Sequence, residues 1–103
     1  MRDAQVKDLP FGKYVYRSEK TVFRVVEGNL VILEFEAGAN YSANGIAAVI
    51  WDLCDGQYRT EEIITKMASF YPDVSSVRND TTEFLTELMA EDLIKFSDTQ
   101  KHL

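Results

Sequence analysis

The sequence predicts an α+β domain of the winged helix-turn-helix type, in which a small three-stranded antiparallel sheet is followed by three α-helices. Two observations support this fold class. Between residues 21 and 36, two runs of β-branched and aromatic residues flank a glycine turn, which is typical of a hairpin. From residue 44 to residue 91, apolar residues recur at helical spacing and are interrupted by Gly56 and Pro72, which indicates three helices.

The chain of 103 residues has room for one domain. Residues 1–20 contain a proline and a glycine and lack sustained periodicity apart from a short extended piece at residues 14–17, so we expect an N-terminal arm there. The domain is predicted over residues 21–96, and residues 97–103 are predicted to form a C-terminal tail.

The predicted hairpin joins strands at residues 21–27 and 30–36 through a two-residue turn, Gly28-Asn29. In this register one face of the hairpin carries Arg24 and an apolar set, namely Val22, Val26, Val31, Leu33 and Phe35. Because the other face carries Glu27 and Glu34, we expect the apolar face to be the buried one.

The three helices are predicted near residues 44–55, 60–71 and 76–91, each opened by a residue type that caps helix N-termini. Residues 93–96 then leave the third helix as an extended segment. The periodicity of strands and helices predicts the following core: Val26, Val31, Leu33, Phe35, Ile46, Ile50, Leu53, Ile63, Met67, Phe84 and Leu88.

The sequence offers no constellation of residues for catalysis. Cys54 is the single cysteine and falls on the apolar side of the first predicted helix, while the single histidine, His102, lies near the end of the chain. The glycines are scattered singly rather than grouped in a phosphate-binding loop. We therefore expect a protein that is not an enzyme and that holds neither a metal ion nor a cofactor.

No apolar run approaches the roughly 20 residues that a membrane helix needs, and the first residues lack the apolar core of a secretory signal. The sequence therefore predicts a cytoplasmic protein that does not interact with membranes.

The net charge of −6 weighs against nucleic acids as partners and suits a neutral or basic peptide. A winged-helix regulator of transcription is the first alternative function, but its recognition helix must contact the negatively charged DNA backbone. Between residues 77 and 92 Arg78 is the only basic residue and stands against five acidic ones. A structural subunit of an enzyme complex is a second alternative, which charge does not address.

Residues 40–43 form a short extended piece that is predicted as a third strand at the edge of the sheet. An edge strand has unpaired backbone groups, to which an extended peptide can add as another strand. Pockets between this edge and the third helix would then give specificity, with Leu85 as an apolar anchor. The candidate peptide-binding residues are Asn40, Tyr41, Ser42, Ala43, Val77, Asp80, Thr81, Phe84, Leu85 and Leu88. The alternative that Phe84, Leu85 and Leu88 only pack the core stays open.

Several segments resemble those of a known family in their order and spacing. The run from Asn40 to Trp51, Asn-Tyr-Ser-Ala-Asn-Gly-Ile-Ala-Ala-Val-Ile-Trp, resembles the family pattern Tyr-x-Leu-Asn, two variable residues, two small residues, one variable residue and Ile-Trp. Asp55-Gly56 followed by Thr60-Glu-Glu-Ile63 is similar to its Asp-Gly turn and Thr-x-Glu-Ile helix start. Its third-helix signature is matched by Asp80, Phe84-Leu85, Leu88 and Leu93-Ile94. The family is that of PqqD, the pyrroloquinoline quinone synthesis protein D.

This resemblance implies a winged-helix-like module whose third strand and third helix hold the leader of a ribosomally made precursor peptide. It also implies a modifying enzyme as partner, such as a radical SAM maturase, a peptidase or a cyclase, and no cofactor in the chain itself. Two positions depart from the family pattern, since Ala43 replaces a usual Leu and Asp92 a usual Gly. Ala43 would leave either a shallower core or a deeper peptide pocket beside Tyr41.

Overall fold

The computed structural model describes residues 9–101 and shows three helices and six strands within them. In chain order these elements are β1 (Tyr14–Arg17), β2 (Thr21–Val26), β3 (Asn29–Glu34), β4 (Ala39–Ala43), α1 (Ala47–Leu53), β5 (Asp55–Arg59), α2 (Thr60–Phe70), α3 (Val77–Ala90) and β6 (Ile94–Ser97). The predicted α+β class with three helices is confirmed. Helix α1 begins later than predicted because Gly45 has a φ of 68°, which a continuing α-helix excludes.

A second three-stranded sheet, with the order β5-β1-β6, was not predicted. Its central strand β1 lies in the predicted N-terminal arm, and Val15 of this strand is fully buried. Further upstream, Leu9 is also buried and the hydroxyl of Thr60 donates a hydrogen bond of 2.9 Å to the Pro10 carbonyl. Residues 9–20 of the predicted arm therefore pack against the rest of the described chain, and residues 1–8 of that arm lie outside the described residues.

The predicted C-terminal tail is also tied to this second sheet as far as it is described. Strand β6 extends to Ser97, and the Tyr16 hydroxyl donates a hydrogen bond of 2.6 Å to the Thr99 carbonyl. The backbone N–H of Lys101 donates to the Gly56 carbonyl at 2.9 Å. His102 lies outside the described residues.

The first sheet has the order β2-β3-β4, as predicted for a hairpin followed by a short edge strand. Its hairpin register differs from the prediction by two residues, because Val26 pairs with Asn29 and the turn is formed by Glu27 and Gly28. Both turn residues have positive φ, 52° and 81°, as a type I′ turn requires. Type I′ turns favour glycine at the second central position, which Gly28 occupies here, whereas the predicted turn placed Gly28 first.

The buried face of the hairpin is opposite to the predicted one. Leu30 and Ile32 are fully buried, and β3 packs here against α1. The residues predicted to be core on the hairpin, Val26, Val31, Leu33 and Phe35, are instead 37% to 56% exposed. Glu34 misled the prediction because it stands at the end of β3, where its carboxylate accepts hydrogen bonds from the N–H groups of Glu36 and Ala37 in the following turn.

The helices complete a core that agrees with the predicted helical periodicity. Six predicted residues are buried, namely Ile50, Leu53, Ile63, Met67, Phe84 and Leu88, while Ile46 is half-buried. Trp51 of α1 is buried and meets the Phe23 ring edge-on at a centroid distance of 5.7 Å. Arg17 donates a 2.8 Å hydrogen bond to the Trp51 carbonyl, which links β1 to the end of α1.

A candidate peptide-binding groove

Strand β4 and helix α3 form the two sides of a groove. The Tyr41 side chain of β4 extends toward α3, where its ring lies 6.0 Å from the Phe84 ring at an interplanar angle of 49°. Its hydroxyl donates a hydrogen bond to the carboxylate of Glu87, which lies about one helical turn after Phe84 on α3. Tyr41 thus contacts both walls of the groove.

A cavity of about 230 Å³ opens between these walls next to Tyr41. Its apolar lining comes from β4, from α3 and from the start of α1, and consists of Tyr41, Ala43, Ile46, Ala47, Ile50 and Phe84. The polar lining residues are Asn44, Asp80 and Glu87, of which two are acidic. Such a site suits an apolar side chain whose neighbours are neutral or basic.

The hydrogen-bonding pattern of the hairpin fixes which way the backbone of each strand points. Val26 and Asn29 close the two-residue turn and are therefore a hydrogen-bonded pair. At the other end of the hairpin the N–H of Phe35 donates to the Lys20 carbonyl at 3.0 Å, which extends the same alternation. The odd-numbered residues of β3 thus bond to β2, and the even-numbered residues direct their backbone groups toward β4.

The same alternation determines which groups of β4 are free. Leu30 and Ile32 pair with Ala43 and Tyr41, so those two residues of β4 bond to β3. Asn40 precedes Tyr41, and Ser42 lies between Tyr41 and Ala43. The backbone N–H and C=O groups of Asn40 and Ser42 therefore point away from the sheet. No further strand of the described chain pairs with β4, so this edge presents donors and acceptors for an incoming strand.

The ten candidate residues from the sequence divide into two groups in the structure. All four β4 residues lie on the free edge strand, and Asp80 and Phe84 line the cavity. The other four, Val77, Thr81, Leu85 and Leu88, are buried and do not line it. Sequence reasoning missed five lining residues, namely Asn44, Ile46, Ala47, Ile50 and Glu87.

Helical spacing explains this division on α3. Asp80, Phe84 and Glu87 are four and three residues apart, so they form one stripe along the helix. Thr81 follows Asp80 and Leu85 follows Phe84. These two residues therefore belong to the neighbouring stripe of the helix, which faces the core. The sequence could have identified Glu87 as a lining residue, because its spacing places it on the same stripe as Asp80 and Phe84.

The environment of Tyr41 keeps its hydroxyl protonated. Partial burial raises the pKa of this phenol, and the carboxylate of Glu87 that accepts its hydrogen bond raises the pKa further. Tyr41 therefore stays a neutral hydrogen-bond donor throughout the physiological pH range.

Cys54 is placed as a packing residue rather than as a nucleophile. It is fully buried, its thiol donates to the Ile50 carbonyl at 3.3 Å, and burial raises its pKa to about 12. Nucleophilic chemistry requires the thiolate, which this environment disfavours.

We expect Cys54 of the folded protein to react with a chromogenic aromatic disulfide at least about 100-fold more slowly than a free thiol at pH 7.5, because the thiolate fraction falls about tenfold per unit of raised pKa. In denaturant the same reagent should titrate one thiol per chain at once. Fast reaction of the native protein would show that the thiol is accessible and ionised, contrary to the structure.

The described residues provide little for other chemistries. Within residues 9–101 no group of three His, Cys, Asp or Glu side chains is arranged to hold a metal ion. None of the helices in that part of the chain has the length and apolar character needed to cross a membrane. The acidic side chains of α3, Asp80, Glu83 and Glu87, are all exposed, which disfavours contact with a nucleic-acid backbone.

Comparisons with known proteins agree with this geometry. The family model described as coenzyme PQQ synthesis protein D (PqqD) matches residues 29–94. A solved structure described as TbiB1 in complex with the TbiA(beta) leader peptide is similar to this chain, with a TM-score of 0.65 and 25% sequence identity. That similarity covers 78% of this chain and 94% of the TbiB1 chain. No curated protein matches the sequence.

Proposed function

Because this chain belongs to the PqqD family, we propose that it is a non-catalytic module that binds the leader of a ribosomally synthesised precursor peptide and presents it to a modifying enzyme. One observation carries the proposal, namely the free edge of β4 beside an apolar cavity that α3 closes on its far side. The similar TbiB1 structure contains a leader peptide, which supports the same use of this fold.

In the proposed complex the leader adds to β4 as a further strand. The outward backbone groups of Asn40 and Ser42 supply main-chain hydrogen bonds, which give affinity without reading the sequence. Leader side chains that point toward α3 meet Tyr41, Ala43 and Phe84 at the cavity, and this contact gives specificity. Asp80 at the cavity favours a leader that is neutral or basic there.

The four buried candidates have an indirect role in this proposal. Val77, Thr81, Leu85 and Leu88 anchor α3 to the core, so they fix the distance between the helix and the edge strand. They support the groove without contacting the peptide.

The modifying enzyme is the second proposed partner. The family resemblance favours a radical SAM maturase, with a peptidase or a cyclase as alternatives. We propose that this binding takes place in the cytoplasm, where ribosomes synthesise the precursor. A DNA-binding role finds no support in the acidic exposed face of α3.

Titration calorimetry tests the proposal. The probe is a synthetic peptide that spans the leader of the precursor encoded beside this chain's gene, and the control is the same peptide in scrambled order. We expect binding of the leader with a Kd of about 1 μM or tighter, corresponding to about −8 kcal/mol, and no measurable heat from the control. Equal affinity for both peptides, or for neither, would contradict leader recognition.

The substitution Ala43→Leu should fill the cavity. Ala43 lines the cavity from β4 and is half-buried, so a longer aliphatic side chain at this position occupies the space that a leader side chain would enter. We expect the affinity for the leader to fall about tenfold, since excluding part of a buried apolar side chain costs about 1.5 kcal/mol. Calorimetry measures the loss, and thermal unfolding should show a stability equal to or above that of the wild type.

The matched control is Ala90→Leu at the exposed end of α3, outside the cavity lining. This variant should bind the leader as the wild type does. Unchanged affinity in Ala43→Leu would mean that no leader side chain enters the cavity.

A further inference from the structure

The outer face of the β2-β3-β4 sheet is apolar and uncovered in the described chain. On β2 and β3 it carries Val22, Val26, Val31 and Leu33, which are between 37% and 52% exposed. The apolar residues of this face occupy β2 and β3, a strip about 10 Å wide and 20 Å long, or roughly 200 Å², while β4 contributes the polar Asn40 and Ser42. Contiguous exposed apolar residues with polar residues at their rim often mark interaction sites.

This outer face takes no part in the groove. The residues of β4 that line the cavity, Tyr41 and Ala43, pair with the buried Ile32 and Leu30, so they project from the opposite face of the sheet. The fold does not require an apolar outer face either, because antiparallel sheets commonly have one face covered with polar residues. The exposed apolar residues of this face therefore indicate a partner other than the peptide in the groove.

The charge on this face indicates the chemistry of that partner. Arg24 lies between Val22 and Val26 and opposite Val31. The face has no acidic side chain, because its other residues are Leu33 and the neutral polar residues Asn29, Asn40 and Ser42. Among the described residues Arg24 is exposed and forms no ion pair. The rest of the chain is acidic enough to give a net charge of −6, so this face is a basic and apolar exception.

We propose that the outer face of the β2-β3-β4 sheet is the docking surface for the modifying enzyme, which places an apolar surface with a carboxylate group against Arg24. This inference rests on the proposed function, since it assumes that such an enzyme exists. The partner's carboxylate pairs with the guanidinium, and its apolar side chains cover the valines and Leu33.

The position of the face relative to the groove agrees with this partner. A surface concavity of about 460 Å³, lined by Asn29, Val31, Ser42, Ala43 and Asn44, runs from the outer face to the edge of β4. An enzyme docked on the face thus lies directly beside a peptide bound at that edge, as delivery of the substrate requires.

A second copy of this chain fits the face less well. Two such faces packed together would bury both Arg24 side chains without a carboxylate on either face to pair with them, which is costly. The face also supplies only part of the about 800 Å² per partner that a stable interface buries, so a dimer would have to extend across the β4 edge and block it. An enzyme can extend over the bound leader instead.

The experiment uses the purified enzyme encoded beside this chain's gene as the probe and measures its binding by calorimetry. Val22→Glu and Arg24→Glu alter the outer face. Val25→Glu is the matched control, because Val25 lies on the same strand, faces the opposite side and is 49% exposed, close to the 52% of Val22. We expect Val22→Glu and Arg24→Glu each to weaken enzyme binding at least about tenfold, as charge introduced or reversed at an interface does.

The control and a parallel leader titration separate the outcomes. Val25→Glu should bind the enzyme as the wild type does, and all three variants should bind the synthetic leader within about twofold of the wild type, since their sites lie away from the groove. Enzyme binding that is unaffected by Val22→Glu and Arg24→Glu, or absent in the wild type, overturns the proposal. So does sedimentation of the wild type as a dimer that Val22→Glu disperses. Failure of the wild type to bind its leader counts against the proposed function, while the enzyme titration still decides the role of this face.

Discussion

Ser42→Pro should reduce the affinity for the leader by roughly 30- to 150-fold while the protein stays folded. The N–H of Ser42 points away from β3, so proline at this position removes a donor that only an incoming strand uses. The proline ring also projects toward the added strand. The lost hydrogen bond and the steric conflict together cost about 2–3 kcal/mol of binding free energy, which calorimetry with the synthetic leader measures.

Two control variants make this result specific to the edge. Ser42→Ala keeps the backbone donor and should bind within about twofold of the wild type, because the Ser42 side chain lies on the exposed outer face. Tyr41→Pro removes an N–H that bonds to β3, so it should destabilise the fold itself. Wild-type affinity in a folded Ser42→Pro variant would show that the leader does not add to β4.

Local patterns in the sequence predicted the helices and the edge strand well. Thr60, Glu61 and Glu62 indicate the start of α2, and the structure begins the helix at Thr60. Apolar spacing likewise identified Ile50 and Ile63 as fully buried. These features depend on residues a few positions apart in the chain, where spacing carries the information.

The second sheet depends on contacts between distant segments, and its sequences show no strand pattern. Strand β5 reads Asp-Gly-Gln-Tyr-Arg, and these residues were predicted as the end of the first helix at Gly56 and the link to the second helix at Thr60. Gly56 is needed there for a non-local reason as well, because a Cβ at this position would overlap the Tyr16 ring of β1. A glycine that stops a helix and a glycine that admits a neighbouring ring look the same in sequence.

The buried face of the hairpin was mispredicted because both faces of β2 and β3 are apolar. Alternation fixes which residues share a face, and the structure confirms that grouping for Val22, Val31 and Leu33. It does not fix which face turns inward when each carries aliphatic residues. That choice depends on α1, which packs on Leu30 and Ile32 and leaves the other face uncovered.

Leu33 and Leu85 therefore lie in environments opposite to those predicted from the sequence. A pair of Leu→Ala variants distinguishes the predicted arrangement from the observed one. The sequence predicted Leu33 as core and Leu85 as a groove anchor. In the structure Leu85 is fully buried within α3, whereas Leu33 is 37% exposed on the outer face. The change from Leu to Ala removes the same atoms at both sites, so any difference in stability reports the burial of each.

We expect Leu85→Ala to lower the free energy of unfolding by about 2–5 kcal/mol, because it removes a buried side chain and leaves a cavity behind α3. Leu33→Ala should cost about 1 kcal/mol or less, since its side chain is partly in water already. Urea denaturation followed by circular dichroism measures both changes. Under conditions where Leu85→Ala remains folded, it should bind the leader almost as the wild type does, because Leu85 does not line the cavity. A larger loss of stability in Leu33→Ala than in Leu85→Ala would mean that the hairpin packs through its other face, and the docking surface proposed on that face would be lost with it.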